Sequence, residues 1–293
     1  MIKKNDRDFY NQNGFLILRN ILKANDISRI KELSRLLINV FENLSSQRIR
    51  DTENIVNKNL KDSRFTSLMF ELRSQQPDIF SILYDTIQMS TKLASIANSS
   101  TILNATSSLL DTDPNSLASY NHMMRMDFPS DQRNSYGWHQ DSPYNYSNIS
   151  GENALVVWFP LLDVNKKNGT LRVKPGSHLE GIHPTSFSHK HGGSRQLLVP
   201  DEVVKKYKTI DLDMNFGDVL ISNNNLVHSS GNNNSDDIRY TIVTRIHKIL
   251  SEDFIPGRVS FNYNLNAIKF LKNKYQDNPI LSKSLDAIST FYN

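Results

Sequence analysis

The 293-residue chain contains no cysteine. Disulfides, thiolate-bound zinc, iron–sulfur clusters and thiol catalysis are therefore excluded. If the protein binds a metal ion, nitrogen and oxygen ligands must hold it.

Long apolar runs are also missing. The longest, "ALVVWFPLL" at 154–162, is too short to cross a bilayer. The first residues, "MIKKNDRDFYNQ", lack the apolar segment of a signal peptide. We therefore expect a cytoplasmic protein with no membrane partner.

The sequence has no dense block of basic residues. Its 34 Lys and Arg residues and 30 Asp and Glu residues are spread along the chain, and the net charge is +4. Nucleic-acid-binding proteins usually concentrate positive charge on one surface, so we expect no nucleic-acid partner. The slight basic excess favours an anionic small-molecule substrate, while the oligomeric state stays unknown.

The first hundred residues are mainly of helical character. "GFLIL" at 14–18 alternates like a short strand, and Asn25 or Asp26 is placed to cap the helix that follows. A second helical region spans roughly 66–97, and Pro77 is expected to break or restart it. The first helix carries an apolar stripe at three- and four-residue spacing, formed by Ile27, Ile30, Leu33, Leu37, Val40 and Leu44.

From about residue 117 the pattern changes to short runs of β-branched and aromatic residues between Gly, Pro, Asn and Ser clusters. About eight such runs predict an all-β sandwich or barrel. We expect a single domain over 1–293. Its helical part at about 20–100 would pack outside a β core at about 117–263, and a helical tail would follow.

One short motif in this β region combines an imidazole and a carboxylate. On an extended segment His139 and Asp141 of "GWHQD" project to the same side. His228 lies where another strand ends, before a Gly-Asn turn, although a surface-turn histidine would look the same. Two imidazoles and one carboxylate form the facial triad of non-haem iron oxygenases, which leaves coordination positions open.

Arg239 lies within an otherwise apolar strand, with Thr241 on the same face. A buried guanidinium requires an anionic partner. No protein carboxylate is evident from the sequence, so a dicarboxylate ligand such as 2-oxoglutarate is a natural candidate, with Thr241 as an additional hydrogen-bond donor. Arg245 has the same parity and is the rival for this role.

Taken in order, these segments resemble the phytanoyl-CoA dioxygenase family of Fe(II)- and 2-oxoglutarate-dependent oxygenases. The resemblance rests on "FYNQNGFLILRNIL", "GWHQD", "VVWFPLLDVNKKNGTLRVKPGSHLEG", "GDVLISNNNLVHSSG" and "IRYTI". It implies Fe(II) bound by His139, Asp141 and His228. It also implies that Arg239, eleven residues beyond His228, binds the far carboxylate of 2-oxoglutarate. The implied fold is a double-stranded β-helix, a cupin-like jelly roll with flanking helices.

Four further residues are candidates for contact with the cosubstrate. Ser230 follows the distal histidine and is otherwise an ordinary turn serine. Gln140 lies between two proposed ligands and should point away from the metal, though its amide is still within reach of the cosubstrate. Trp158 is a core residue or a wall of the 2-oxoglutarate site, and Arg125 is an anion-binding residue or an exposed edge arginine.

The remaining histidines are weaker candidates. His178 in "KPGSH" follows a turn and is expected near the site without ligating the metal. His183, His189 and His191 belong to a polar segment at 182–194. We interpret this segment as a surface loop, with a lid as the alternative.

The resemblance implies that O₂ and 2-oxoglutarate are consumed, that succinate and CO₂ are released, and that a C–H bond is hydroxylated. The carboxylate at Asp141 favours hydroxylation, because halogenating relatives lack it. Desaturation and ring formation stay open. The rival functions are a cupin-type metal-dependent isomerase or hydrolase that does not use 2-oxoglutarate, and a binding module without catalysis.

Overall fold

The computed structural model describes residues 2–131, 135–144, 148, 151–188 and 196–254, with 272–273, 276–277, 279 and 286. The predicted end of the β core and most of the predicted helical tail therefore lie outside the described residues. The helices are α1 (Lys4–Asn13), α2 (Ala24–Ser45), α3 (Thr52–Asn57), α4 (Ser63–Gln75), α5 (Pro77–Gln88), α6 (Thr91–Ala97), α7 (Ser100–Leu110) and α8 (Asp201–Val204).

The strands follow the predicted β region closely, after one strand near the start of the chain. They are β1 (Phe15–Leu18), β2 (Leu117–Asp127), β3 (Ala154–Pro160), β4 (Leu171–Val173), β5 (Ser186–Ser188), β6 (Gln196–Leu198), β7 (Ile210–Asp211), β8 (Val219–Asn223), β9 (His228–Ser230) and β10 (Arg239–Lys248).

The apolar stripe of α2 packs into the core, where Ile30, Leu33 and Leu37 are buried. The prediction that Asn25 or Asp26 precedes and caps α2 was wrong, because the capping position is Lys23. The helix begins at Ala24, and Asp26 in its first turn accepts a hydrogen bond from the backbone N–H of Lys23 at 3.0 Å. Pro77 is the first residue of α5, as expected, because proline lacks the N–H that an early helical position leaves unpaired.

Two antiparallel sheets form the β core. The larger has the strand order β1-β8-β3-β10-β2, and the smaller has the order β7-β4-β9. Strands β5 and β6 form a separate hairpin, so 186–188 is a strand within the segment predicted to be a loop. Side chains from both main sheets line one cavity. The sheets therefore enclose it, as the jelly-roll prediction requires.

Helices α5, α6 and α7 pack against β2, β10 and β3 on the larger sheet. Gln88 of α5 covers the exposed edge of β2. Its side-chain oxygen accepts from the N–H of Met124 at 2.7 Å, and its amide nitrogen donates to the Met124 carbonyl at 3.1 Å. At Met124 the unpaired edge groups are thereby satisfied. Among the described residues, no helix combines the length and apolar character that a membrane crossing requires.

Candidate metal centre

His139 and His228 are brought together by the smaller sheet. Their backbones exchange two hydrogen bonds of 2.9 Å, from each N–H to the other residue's carbonyl. The two imidazole rings lie 4.2 Å apart between centroids. The tertiary structure thus joins two histidines that are far apart in the chain.

The backbone also fixes which ring nitrogen of each histidine is available. Nδ1 of His139 lies 2.8 Å from the carbonyl of Gly137, and Nδ1 of His228 lies 2.9 Å from the carbonyl of Leu226. A carbonyl can only accept, so both Nδ1 atoms carry a proton and both Nε2 lone pairs are left for a metal. Burial, followed by the nearby His228, lowers the pKa of His139 to about 3, so this ring is neutral at pH 7.

Asp141 lies beside the two histidines. Its Oδ2 lies 3.7 Å from Nε2 of His228, and its Oδ1 accepts a hydrogen bond from Nη2 of Arg245 at 2.8 Å. Burial alone would raise the pKa of this carboxyl. The interactions of Asp141 with Arg245, His228 and His139 outweigh that effect and lower the pKa to about 2. The carboxylate is therefore ionised.

No group of three His, Cys, Asp or Glu side chains within the described residues forms a ready-made metal site. The chemistry of His139, Asp141 and His228 nevertheless fits a divalent ion, because it combines two imidazoles with one ionised carboxylate. Metal–nitrogen and metal–oxygen bonds of about 2.0–2.2 Å allow one ion to contact both Asp141 and His228 across their present separation.

Arg239 has a protein partner, so the expectation that none exists was wrong. It lies across the sheet from Asp127, whose Oδ2 accepts from Nη2 at 2.8 Å and from Nε at 3.3 Å. Nη2 of Arg125 donates to the other carboxylate oxygen at 2.8 Å. Burial raises the pKa of Asp127, but the two arginines outweigh it and lower the pKa to about 2. The cluster of Arg125, Asp127 and Arg239 therefore carries one excess positive charge.

One cavity of about 150 Å³ brings most of the predicted site residues together. Tyr136, Tyr144 and Arg245 also line it. The sequence analysis missed the two tyrosines, whose only signal was their closeness to "GWHQD". The predicted residues that line the cavity are His139, Asp141, His228, Arg239, Ser230, Trp158 and Arg125.

Gln140 and Thr241 are not among the residues that line this cavity. Gln140 is fully buried, its Nε2 donates to the carbonyls of Gly181 and Asn225 at 2.8 and 2.6 Å, and its Oε1 accepts from the N–H of His183 at 2.8 Å. Gln140 therefore links the segment that contains His139 and Asp141 to two loops. Thr241 is also fully buried, and its hydroxyl has no hydrogen-bond partner among the described residues.

Among the described residues, no other histidine lines the cavity. Nε2 of His178 is 3.1 Å from the carbonyl of Asn11, and its ring occupies the space that a Cβ at Gly14 would need. His183 is buried, which corrects its assignment to a surface loop. His189 and His191 lie outside the described residues. The alternative interpretation of this segment as a lid falls on the same residues.

Comparison with known proteins identifies related sequences. A family model described as "Phytanoyl-CoA dioxygenase (PhyH)" matches residues 10–241. The peroxisomal phytanoyl-CoA dioxygenase of Bos taurus is 25% identical over 242 residues, which cover 80% of this chain and 66% of the bovine protein. A phytanoyl-CoA dioxygenase domain-containing protein 1 homolog of Dictyostelium discoideum is 32% identical over 105 residues, or 35% of this chain and 37% of that protein. The chain thus spans slightly less than two thirds of the bovine relative.

Solved structures share the fold at low identity. The epimerase SnoN, in complex with Fe³⁺, alpha ketoglutarate and nogalamycin RO, has a TM-score of 0.55 at 15% identity, covering 88% of this chain and 91% of SnoN. The non-heme monooxygenase ThoJ has a TM-score of 0.53 at 18% identity, covering 97% and 98%. These likenesses confirm the predicted cupin-like fold. Because the family model extends from α1 to β10, the chain belongs to the phytanoyl-CoA dioxygenase family.

Proposed function

We propose that the protein is an Fe(II)- and 2-oxoglutarate-dependent dioxygenase that hydroxylates an unactivated C–H bond of a small molecule. His139, Asp141 and His228 would hold Fe(II), and Arg239 would pair with the far carboxylate of 2-oxoglutarate. The observation that carries the proposal is that these four side chains line one cavity. Membership of a family that depends on Fe(II) and 2-oxoglutarate supports the same cofactors.

In the proposed reaction, decarboxylation of 2-oxoglutarate and oxidation of the C–H bond each supply two electrons to O₂. One oxygen atom enters succinate and the other enters the product alcohol, with release of CO₂. The iron, when bound, supplies the oxygen-activating chemistry, and the protein supplies orientation and exclusion of water.

Arg239 and its neighbours Arg125 and Asp127 would orient the far carboxylate of 2-oxoglutarate. Because Asp127 already pairs with Arg239, the buried guanidinium alone does not require a ligand. The excess positive charge shared by Arg125, Asp127 and Arg239 is what favours a carboxylate there. Ser230 lines the same cavity and is placed to donate a further hydrogen bond.

The net charge of the described cavity arginines and their carboxylate partners also favours an anionic substrate. Three arginines line the cavity (Arg125, Arg239 and Arg245), and the carboxylates of Asp127 and Asp141 pair with them. Their sum is 3 − 2 = +1. Fe(II) adds two positive charges and 2-oxoglutarate adds two negative charges, so the loaded pocket keeps one positive charge for a substrate anion.

The test is anaerobic addition of Fe(II) and 2-oxoglutarate while recording the visible charge-transfer band of the chelate. The wild-type protein is expected to show the band, and Arg239→Gln is expected to require at least about tenfold more 2-oxoglutarate, which corresponds to 1.4 kcal/mol. Arg73→Gln is the matched control, because Arg73 forms a buried ion pair with Asp131 away from the cavity. It should keep wild-type affinity.

A wild-type protein that binds Fe(II) but shows no band would overturn the proposal. That result would favour the cupin-type isomerase or hydrolase that does not use 2-oxoglutarate. For a wild-type protein that shows the band, alcohol formation compared with succinate release, measured with candidate anionic substrates in air, separates hydroxylation from turnover of 2-oxoglutarate alone.

A further inference from the structure

A β-bulge in β2 lies beside Arg245. Val243 of β10 pairs with Met123 of β2, whereas Arg245 pairs with Tyr120, so β2 contains one extra residue between these positions. Asn121 in the bulge has a left-handed backbone conformation with φ of 55°. Bulges next to functional sites commonly redirect a side chain. Here the irregularity lies where a guanidinium enters the cavity.

The guanidinium of Arg245 is held by two contacts. Nη1 donates to the carbonyl of Asn121 at 3.4 Å, and Nη2 donates to Oδ1 of Asp141 at 2.8 Å. Both members of the ion pair are largely buried, with side-chain exposures of 11% for Arg245 and 4% for Asp141. Such a pair is costly to bury unless its geometry is good and its remaining groups are used.

The two oxygens of Asp141 therefore have different surroundings. Oδ1 is committed to Arg245, while Oδ2 faces Nε2 of His228 at 3.7 Å. Oδ2 is thus the oxygen that faces the Nε2 atom which His228 leaves for a metal. Groups that hydrogen-bond to a ligand commonly fix its orientation and tune the metal.

We propose that Arg245 is a positioning residue that restricts Asp141 to coordinating the metal through a single oxygen. The inference rests on the proposed function. A facial triad leaves three positions open only if its carboxylate occupies one. Two of the open positions are needed for chelation by 2-oxoglutarate and one for O₂. If Oδ1 were free to turn, the carboxylate would compete for one of them.

This role differs from simple charge neutralisation. If Arg245 served only to balance the charge of Asp141, its loss would change metal affinity and leave the number of protein ligand atoms unchanged. If it positions the carboxylate, its loss leaves the metal bound, and the second carboxylate oxygen displaces one bound water and weakens the binding of 2-oxoglutarate. The number of water molecules on the metal therefore distinguishes the two roles without any measurement of turnover.

The experiment uses the full chain loaded anaerobically with Mn(II), whose enhancement of water proton relaxation falls as water molecules bound to the ion are displaced. Arg245→Gln is expected to bind Mn(II), to show less relaxation enhancement per bound ion than wild type, and to bind 2-oxoglutarate at least about tenfold more weakly. Arg245→Lys, which keeps a donor for Oδ1, should restore part of both properties. Arg73→Gln removes a guanidinium from a buried pair of similar exposure, 12% and 9%, and should behave as wild type.

Two results would overturn the inference: wild-type relaxation enhancement per bound ion in folded Arg245→Gln, or complete loss of Mn(II) from the folded variant. If Arg245→Gln does not fold, Arg245→Met replaces it, because its unbranched side chain fills similar space without a buried amide. Failure of the wild-type protein to bind 2-oxoglutarate would instead contradict the proposed function.

Discussion

Asp127 and Arg239 face each other on adjacent antiparallel strands, and the carboxylate accepts a hydrogen bond from the guanidinium at 2.8 Å. The same carboxylate also binds Arg125. Asp127 thus sets the orientation of the arginine proposed to hold 2-oxoglutarate, and it limits the cluster to one excess positive charge.

Replacing Asp127 with Asn should leave two buried guanidiniums without their shared counter-ion. We expect a loss of about 3 kcal/mol in the free energy of unfolding without ligand, and a larger stabilisation by 2-oxoglutarate than in wild type. Urea unfolding of the metal-loaded protein with and without 2-oxoglutarate measures both. Asp131→Asn, in the pair with Arg73, should lose stability without changing the ligand effect. A ligand effect in Asp127→Asn no larger than in wild type would contradict this account.

Gly169 leaves room for the guanidinium of Arg239. Its φ is 86°, and an added Cβ would lie 2.8 Å from Nη1 of Arg239 and 2.6 Å from the carbonyl of Gly231. We expect Gly169→Ala to displace Arg239 and to weaken 2-oxoglutarate binding, measured by titration of the charge-transfer band.

Gly176→Ala is the control for that substitution. Gly176 has a φ of 80°, but the nearest atom to its added Cβ is the Gln12 carbonyl at 3.8 Å. Both variants should lose about 1 kcal/mol or more of stability from the left-handed backbone. Equal 2-oxoglutarate affinity in the two variants would show that crowding at Arg239 does not matter.

Gln140, between His139 and Asp141, forms hydrogen bonds with three backbone groups. Gln140→Leu keeps the volume but removes the hydrogen bonds to Gly181, Asn225 and His183. Because each buried polar group left without its partner costs about 1–3 kcal/mol, we expect a loss of about 3 kcal/mol or more in urea unfolding. Gln12→Leu, at an exposed position, should change stability little. A loss of similar size at both sites would refute the role assigned to Gln140.

His247 should make the stability of the protein depend on pH. It is fully buried, its Nδ1 donates to Oδ1 of Asn148 at 2.9 Å, and burial lowers its pKa from 6.5 to about 3. Between these values the unfolded chain binds a proton that the folded protein excludes. The stabilisation is therefore complete above pH 6.5 and is lost as the pH falls toward 3.

Urea unfolding of the metal-free protein between pH 7.5 and 5 measures this dependence. His247→Phe keeps a ring beside Tyr120, which stacks on His247 with centroids 5.0 Å apart, and removes the titrating group. Its stability should fall less steeply with acid than that of wild type. Some dependence should remain, because the pKa of His139 is lowered in the same direction. An unchanged slope would contradict the assignment to His247.

The sequence by itself determined the fold class, the family and the residues to examine. Alternation along a strand placed His139 and Asp141 on one side, and the spacing between His228 and Arg239 matched the family. The stripe from Ile30 to Leu37 indicated which face of α2 is buried. These signals are local, because side-chain direction repeats with the period of the helix or strand. The metal-ligand role of the triad remains a prediction.

Only the tertiary structure decided which charged groups meet. The partner of Arg239 depends on the pairing of β2 with β10, and no local pattern indicates which strands will be neighbours. The contact between Arg245 and Asp141 depends further on a bulge of one residue. Gln140 is expected from alternation to point away from the metal, and it does, but the hydrogen bonds that its amide forms with two loops could not be predicted from local sequence. Long-range strand pairing therefore decides which of the charged residues identified in the sequence form ion pairs with one another.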